Sequence, residues 1–420
     1  MIKNINSRLL LLFLSHIISG ISSGVSMIII PWHFTNTLNL NSTFSFVFGV
    51  VTFLGLFWGL YFGPIIDRYN RKLILEKLNF YTGLIIFLLS IFIIYFNSNN
   101  ISVILIALVF ASTCFYYIIY YPTLYAFSQE ISRKENYIKI NSYIEIVGQS
   151  TTVAAGGLAA ILYSGLEWGF INIKPVAIEN ILMIDSMTYL FGAFIISNIK
   201  LSSYKINAKS KSILKRLEVG LKFLKKNPLI LIYGVCSHII FAFILTSLFT
   251  LLPLLINNFF GLADEEGGYV FAITDVCYAC GALISGFFID KWLAYVNKIR
   301  LTIILIILTS LSIIIMISNT SLASLFLISI FLGLSNSGVR ILRNSFIFDN
   351  VPNKKIGRVI SIFVSINTII RMVMIFIFSI YFFSENKNVM FAYIICSLIL
   401  LIFCGPIIYY YNKLKRDCII

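Results

Sequence analysis

The chain has 420 residues, 59% of them hydrophobic and only 12% charged, with a mean hydropathy of +0.94. A soluble domain carries about 25% charged residues, so this composition excludes an ordinary soluble protein and belongs in lipid. The formal charge of +15 does not describe a nucleic-acid face, because the cations sit in short loops between apolar runs, where they read as orientation signals.

The start, MIKNINSRLLLLFLSHIISG, joins a basic tip to an apolar run, as a secretion signal does. The run continues to Pro31 and further spans follow, so it reads as a retained first helix. About 20 apolar residues cross a bilayer. Segments of that kind lie near 9–32, 44–66, 73–96, 101–127, 143–164 and 179–199, then near 229–257, 268–289, 299–318, 321–347, 357–383 and 388–411. We number them span one to span twelve. An even number puts both termini on one side. With that side inside, the inner loops collect Arg68, Arg71, Lys72, Arg133, Lys134, the cluster from Lys200 to Lys226, Lys291, Lys298, Lys354 and Lys413, whereas the outer loops hold Lys174 and Lys387. This asymmetry predicts cytoplasmic termini.

The longest polar stretch, KLSSYKINAKSKSILKRLEVGLKFLKKNP, falls between spans six and seven. It divides the chain into residues 1–200, a cytoplasmic linker 201–228, residues 229–412 and a tail 413–420. Leu214, Leu217, Leu221 and Leu224 form an apolar stripe there, flanked by lysines. That is either a helix lying on the anionic inner leaflet or a solubilising linker. CYAC, Cys277 to Cys280, has redox-motif spacing but sits inside a predicted span, where small apolar packing residues explain it.

The halves resemble each other. GPIID with Arg68 follows span two, and GFFID with Lys291 follows span eight; Glu130 ends span four and Asp349 ends span ten. Such internal repeats mark secondary transporters. The stretch GPIIDRYNRK, from Gly63, is similar to the loop signature of the major facilitator superfamily: Gly, three residues, Asp-Arg, two residues, Arg-Lys. IIIPWHFTNT, YYPTLYAFSQEISRKENYIKINS, IDSMTYLFGAF and GLKFLKKNPLI resemble the macrolide-efflux-like and siderophore-exporter-like branch. The resemblance implies an all-α membrane protein of twelve transmembrane helices in two pseudo-twofold-related bundles. It also implies export of a small molecule coupled to protons, from a monomer in a bacterial cytoplasmic membrane. Two features depart from many drug–proton antiporters. Span four has no arginine, and no proline precedes Gly156 and Gly157 in span five.

Gly55, Gly59 and Gly63 recur every four residues and make one smooth face on span two, which lets another helix approach closely. The family fold implies span eleven as that partner. Asp67 then lies near the helix start at Gly357, whose dipole carries about half a positive charge. Arg68 or Arg71 meets Glu130. The second copy, Gly286, Asp290 and Lys291, faces span five and Asp349. The expectation is a cytoplasmic latch; the alternative is that the cations only set topology.

Ionisable groups inside spans cost about 2.5–3.5 kcal/mol each on insertion scales, so each needs a reason. Arg371 in span eleven suits a carboxylate or an anionic substrate. Glu145, with Gln149 one turn on, and Asp275 in span eight are candidates for binding a proton. Asp185 in span six reads as structural. His16 and His238 occupy comparable places in the two halves, either as proton carriers or as helix–helix hydrogen-bond partners. Tyr117 stacks with Tyr121, and Tyr116 with Tyr120, which makes an aromatic wall for a large ligand or for packing. Asn336 and Asn367 are further polar candidates. No metal spacing, Walker pattern or enzyme motif is present, so no cofactor is expected and an ion gradient is the natural energy source.

Overall fold

Among the described residues, twelve helices long and apolar enough to cross a membrane form where the apolar runs lie. The computed structural model describes residues 7–96, 99–132, 137–168, 171–200, 213–262, 264–319, 321–385 and 387–417. Spans one to six are Ser7–Asn36, Asn41–Arg68, Arg71–Phe96, Asn99–Glu130, Tyr137–Ser164 and Ile178–Ser197. Span seven is Pro228–Phe259, span eight Asp264–Leu293, span nine Lys298–Ser318, span ten Leu322–Asn350, span eleven Asn353–Phe378 and span twelve Val389–Tyr409. Among the described residues, the strands are a short hairpin between spans five and six, Leu166–Trp168 against Ile171–Ile173, antiparallel with Glu167 opposite Asn172. Phe194, Phe287 and Ile402 are each more than 60% exposed. Surfaces so apolar are covered by lipid. The protein is a multi-pass membrane protein.

The chain forms two compact units. The first holds residues 1–37, 54–210 and 264–272; the second holds 38–53, 211–263 and 273–420. In the first, span one packs on spans four, five and six, and span three packs on spans four and six. In the second, span seven packs on spans ten, eleven and twelve, and span nine packs on spans ten and twelve. Adding six to each number of the first set gives the second. The repeat faint in the sequence is therefore a repeat of packing.

Small residues set the closest crossings. A Cβ added at Gly24 meets the Ala155 methyl at 2.7 Å, and one added at Gly20 meets Thr151 at 3.6 Å, so span five lies close along span one. In the second unit, a Cβ on Gly333 would come 1.8 Å from the Tyr278 carbonyl oxygen, and one on Gly281 1.9 Å from that of Ile330. Spans eight and ten thus cross backbone to backbone, a contact only glycine permits.

Span seven is irregular. Two π turns, Ser247–Leu251 and Leu255–Phe259, flank a short helical stretch containing Pro253. Proline has no N–H to donate and crowds the carbonyl four residues back, and the wider turns absorb that crowding.

The helix between spans six and seven is Ile213–Lys226; residues 201–212 of the expected linker lie outside the described residues. It packs on span eleven. A Cβ at Gly220 would meet Ile362 at 2.6 Å, Leu224 is buried and Leu221 is exposed. The apolar stripe thus divides between protein and surroundings, which the leaflet reading alone does not provide. Leu214 and Leu217 lie outside the described side chains.

Candidate functional site

The opening of span three explains much of GPIIDRYNRK. Span two ends at Arg68, and Asn70 caps the next helix by accepting the Leu73 N–H at 3.3 Å. Arg71 is then the first residue of span three. It donates to the Ala126 carbonyl and to Glu130, both at 3.3 Å, while Lys72 donates to the Ser197 carbonyl at 2.8 Å. Two cations therefore sit on the C-terminal ends of spans four and six, where unpaired carbonyls and the negative helix pole attract them.

The second unit repeats this with a different cation. Asn297 accepts the Arg300 N–H at 2.9 Å, and the next residue, Lys298, pairs with Asp349. The expected pair, Lys291 with Asp349, is not formed: the Lys291 ammonium lies 5.1 Å over the Phe288 ring. The reason is loop length. Asn70 follows Asp67 by three residues, whereas Asn297 follows Asp290 by seven. The cation at the helix start moves with the cap, not with the aspartate. The side chains of Gly63, Asp67, Arg68, Asp290 and Gly357 lie outside the described ones, and a Cβ on Gly286 has nothing within 4 Å.

The smooth face of span two also has a different neighbour. Cβ atoms at Gly55 and Gly59 would meet Ile118 of span four at 2.8 and 3.2 Å. Gly49, earlier on the same span, lies against Phe376 of span eleven, 2.7 Å from an added Cβ. A four-residue glycine spacing defines a narrow face but does not name what covers it.

In the first unit, polar groups converge between spans one, three, four and six. His16 is 1% exposed; its Nδ1 lies 3.2 Å from the Tyr120 hydroxyl, and its ring meets Tyr121 edge-on at 5.8 Å. Tyr116 stacks on Tyr120 at 4.8 Å and donates to Asn79 of span three. Tyr117 stacks on Tyr121 at 5.5 Å and shares a hydrogen bond with Ser23. Tyr116 and Tyr120 are buried, while Tyr117 and Tyr121 are partly exposed, so the aromatic run has a packing pair and an accessible pair. Asp185 accepts from Ser26 through Oδ2 at 2.7 Å and is wholly buried, and its Oδ1 has no hydrogen-bond partner. Gln149 is half-buried; the Glu145 side chain lies outside the described ones.

In the second unit, His238 Nδ1 donates to the Gly234 carbonyl of its own helix at 2.6 Å, and Asn367 donates to the His238 carbonyl at 2.7 Å. Asn336 donates to the Tyr278 hydroxyl, which ties span ten to span eight. His238 and Asn367 thus bond backbone carbonyls, while the Asn336 Oδ1 has no hydrogen-bond partner. Arg371 is partly exposed on span eleven. Asp275 differs: it lines a cavity of about 40 Å³ with Thr274, Tyr278, Ser247, Ser329 and Tyr393. Cys277 and Cys280 are free thiols within span eight.

Sequence reasoning missed Arg340 and Arg343. Arg343 is 5% exposed, donates to the Ser237 carbonyl at 3.2 Å, and has no partner for Nε. The signal was present as GVRILRN, two arginines three apart within the last apolar turns of span ten. The cavity-lining hydroxyls had no comparable signal, because serine and threonine recur along most spans.

A family model described as the Major Facilitator Superfamily matches residues 12–375. The chain belongs to the major facilitator superfamily. Solved structures of superfamily transporters share its fold. A point mutant of the nucleoside transporter NupG aligns with a TM-score of 0.73 and 13% identity, covering 96% of this chain and 99% of that one. A bacterial homologue of the human lysosomal transporter Spinster, inward-facing and occupied, gives 0.71 and 13%, with 97% of each chain covered. A bacterial homologue of the iron transporter ferroportin, inward-facing, gives 0.66 and 15%, covering 96% of this chain and 100% of that one. At such identities the likeness concerns the fold. A comparison with curated proteins returned no match.

Proposed function

We propose that this superfamily member is a secondary active exporter that moves a bulky, partly hydrophobic organic molecule outward as protons move inward. The reading places it as a monomer in a bacterial cytoplasmic membrane, with both termini in the cytoplasm and two six-helix domains at residues 1–200 and 229–412. The observation that carries the coupling is Asp275, an intramembrane carboxyl facing a cavity and lacking an ion pair among the described residues. Such a group exchanges a proton more readily than one locked in a salt bridge. The accessible pair Tyr117 and Tyr121, the latter edge-on to His16, supports an aromatic contact for the cargo. Arg71 with Glu130 and Lys298 with Asp349 support a cytoplasmic latch in which these pairs brace the helix ends that move.

A second reading has a specific observation behind it. Arg343, buried with a free Nε, suits cargo bearing an anionic group, as a siderophore does. One experiment addresses both: cells with and without the protein are compared for accumulation of antibiotics and secreted chelators. Each hit then goes to proteoliposomes carrying a pH-sensitive dye. Cargo movement that leaves the internal pH unchanged sinks the proton-coupled reading, and a screen in which nothing differs sinks export.

A further inference from the structure

The cavity at Asp275 lies wholly inside the second unit, between spans seven, eight, nine, ten and twelve. Much of its wall is apolar, with Ile244, Leu252, Met316, Leu325 and Leu332 among the lining residues. Its hydroxyls are already engaged. Ser329 donates to the Leu325 carbonyl at 2.7 Å, Ser247 and Tyr393 bond each other at 2.9 Å, and Tyr278 accepts from Asn336. Asp275 is 6% exposed and makes no ion pair or hydrogen bond to any described residue. Tyr278 and the Ser247–Tyr393 pair each keep an O–H proton, but the one charged group lining this space is the Asp275 carboxylate, which accepts and does not donate.

The glycine crossings of spans eight and ten hold one side, and the π turn Ser247–Leu251 turns Ser247 and Leu248 to the other. A small preformed apolar cavity with one charge converging on it has the form of a small-molecule site. Its complement is a donor-rich cation on an apolar body. An ammonium group offers three donors and the opposite charge, and in a low-dielectric space that pairing is strong.

We propose that this cavity is a ligand site of the C-terminal bundle itself, taking a compact apolar molecule that carries a protonated amine, with Asp275 as its counter-ion. The site stands on the geometry of one unit; only its effect on transport rests on the exporter reading above.

The test uses the purified full chain in lipid nanodiscs, with benzylammonium as probe and benzyl alcohol as its uncharged counterpart, followed by calorimetry. The expected result is at least tenfold tighter binding of benzylammonium. Asp275→Asn removes that preference, and Leu332→Trp, which fills the space and keeps the carboxyl, removes binding of both probes. Lowering the pH until Asp275 protonates removes the preference as well; the other titratable or charged groups facing it are Tyr278, Tyr393 and, beside Tyr278, Arg340. Equal binding of the two probes by the unmodified protein overturns the proposal, as does a preference that survives Asp275→Asn. Where Asp275→Asn does not purify as a single species, persistence of the preference in Leu332→Trp overturns it. A protein that prefers the amine but moves no cargo sinks the exporter reading alone, and one that moves cargo without that preference sinks this site alone.

Discussion

Arg71 reaches two acceptors at once, the Ala126 carbonyl and Glu130, from a side chain about a quarter exposed. An ion pair at that exposure contributes little to folding, on the order of 0.2–1 kcal/mol. If the pair serves the latch, its removal acts on rate far more than on stability. Arg71→Ala is therefore expected to lower the melting temperature of the solubilised protein by a few degrees at most while cutting cargo export several-fold. Arg71→Lys, which keeps the charge but loses the fork, falls between. Export at the unmodified rate by a properly inserted Arg71→Ala protein ends the latch reading for this pair. The same comparison applied to Lys298→Ala checks the second copy. Which residues pair here was half legible. The cation–carboxylate theme stood in the sequence, but choosing Lys298 over Lys291 needed the Asn297 cap, and a four-residue difference in loop length hid it.

At the scale of the helix, the spans were read from hydropathy alone because in lipid the backbone must bond within its own segment, and that ties span length to bilayer thickness. Neighbours were less legible. Glycine spacing on span two named a face but not its neighbour, and nothing around Pro253 announced two π turns. The crossing of spans eight and ten gives the sharpest test at this scale. In Gly333→Ala the new methyl would stand 1.8 Å from a backbone oxygen, so one helix has to shift. Overpacking of this kind costs about 1–3 kcal/mol. A melting temperature lowered by several degrees is expected, and an unchanged one means that the crossing is not tight. Gly405→Ala, with nothing within 4 Å, is the control. The linker helix offers a second test. Gly220→Val should lift Ile213–Lys226 off Ile362 of span eleven and raise amide exchange along it, with little change elsewhere. Near Gly220, Lys222 lies 2.6 Å from Glu218 and holds that carboxyl below its ordinary range. This support is present above the carboxylate range and is lost as pH falls through it, so exchange in this helix should rise in acid.

For the whole molecule, the two units share a packing map shifted by six spans, yet their ionisable groups differ. Among the described residues within the spans, the first unit buries Asp185 in a serine hydrogen bond, whereas spans eight, ten and eleven hold Asp275, Arg340, Arg343 and Arg371. A scaffold can be duplicated without its chemistry, and coupling then falls to whichever copy keeps an unpaired protonatable group. Asp185 also lacks an ion pair and has one unbonded oxygen, but of the two carboxyls Asp275 is the one that lines the cavity, so on the exporter reading the C-terminal unit is assigned the proton. The expected outcome in proteoliposomes is that Asp275→Asn abolishes cargo-driven proton movement while downhill cargo exchange continues. His238→Gln should leave coupling intact, because its ring already bonds its own helix at Gly234. Glu145→Gln is the necessary companion variant. Coupling retained by Asp275→Asn and lost by Glu145→Gln would move the proton to the other half and leave the Asp275 cavity with ligand binding as its one role.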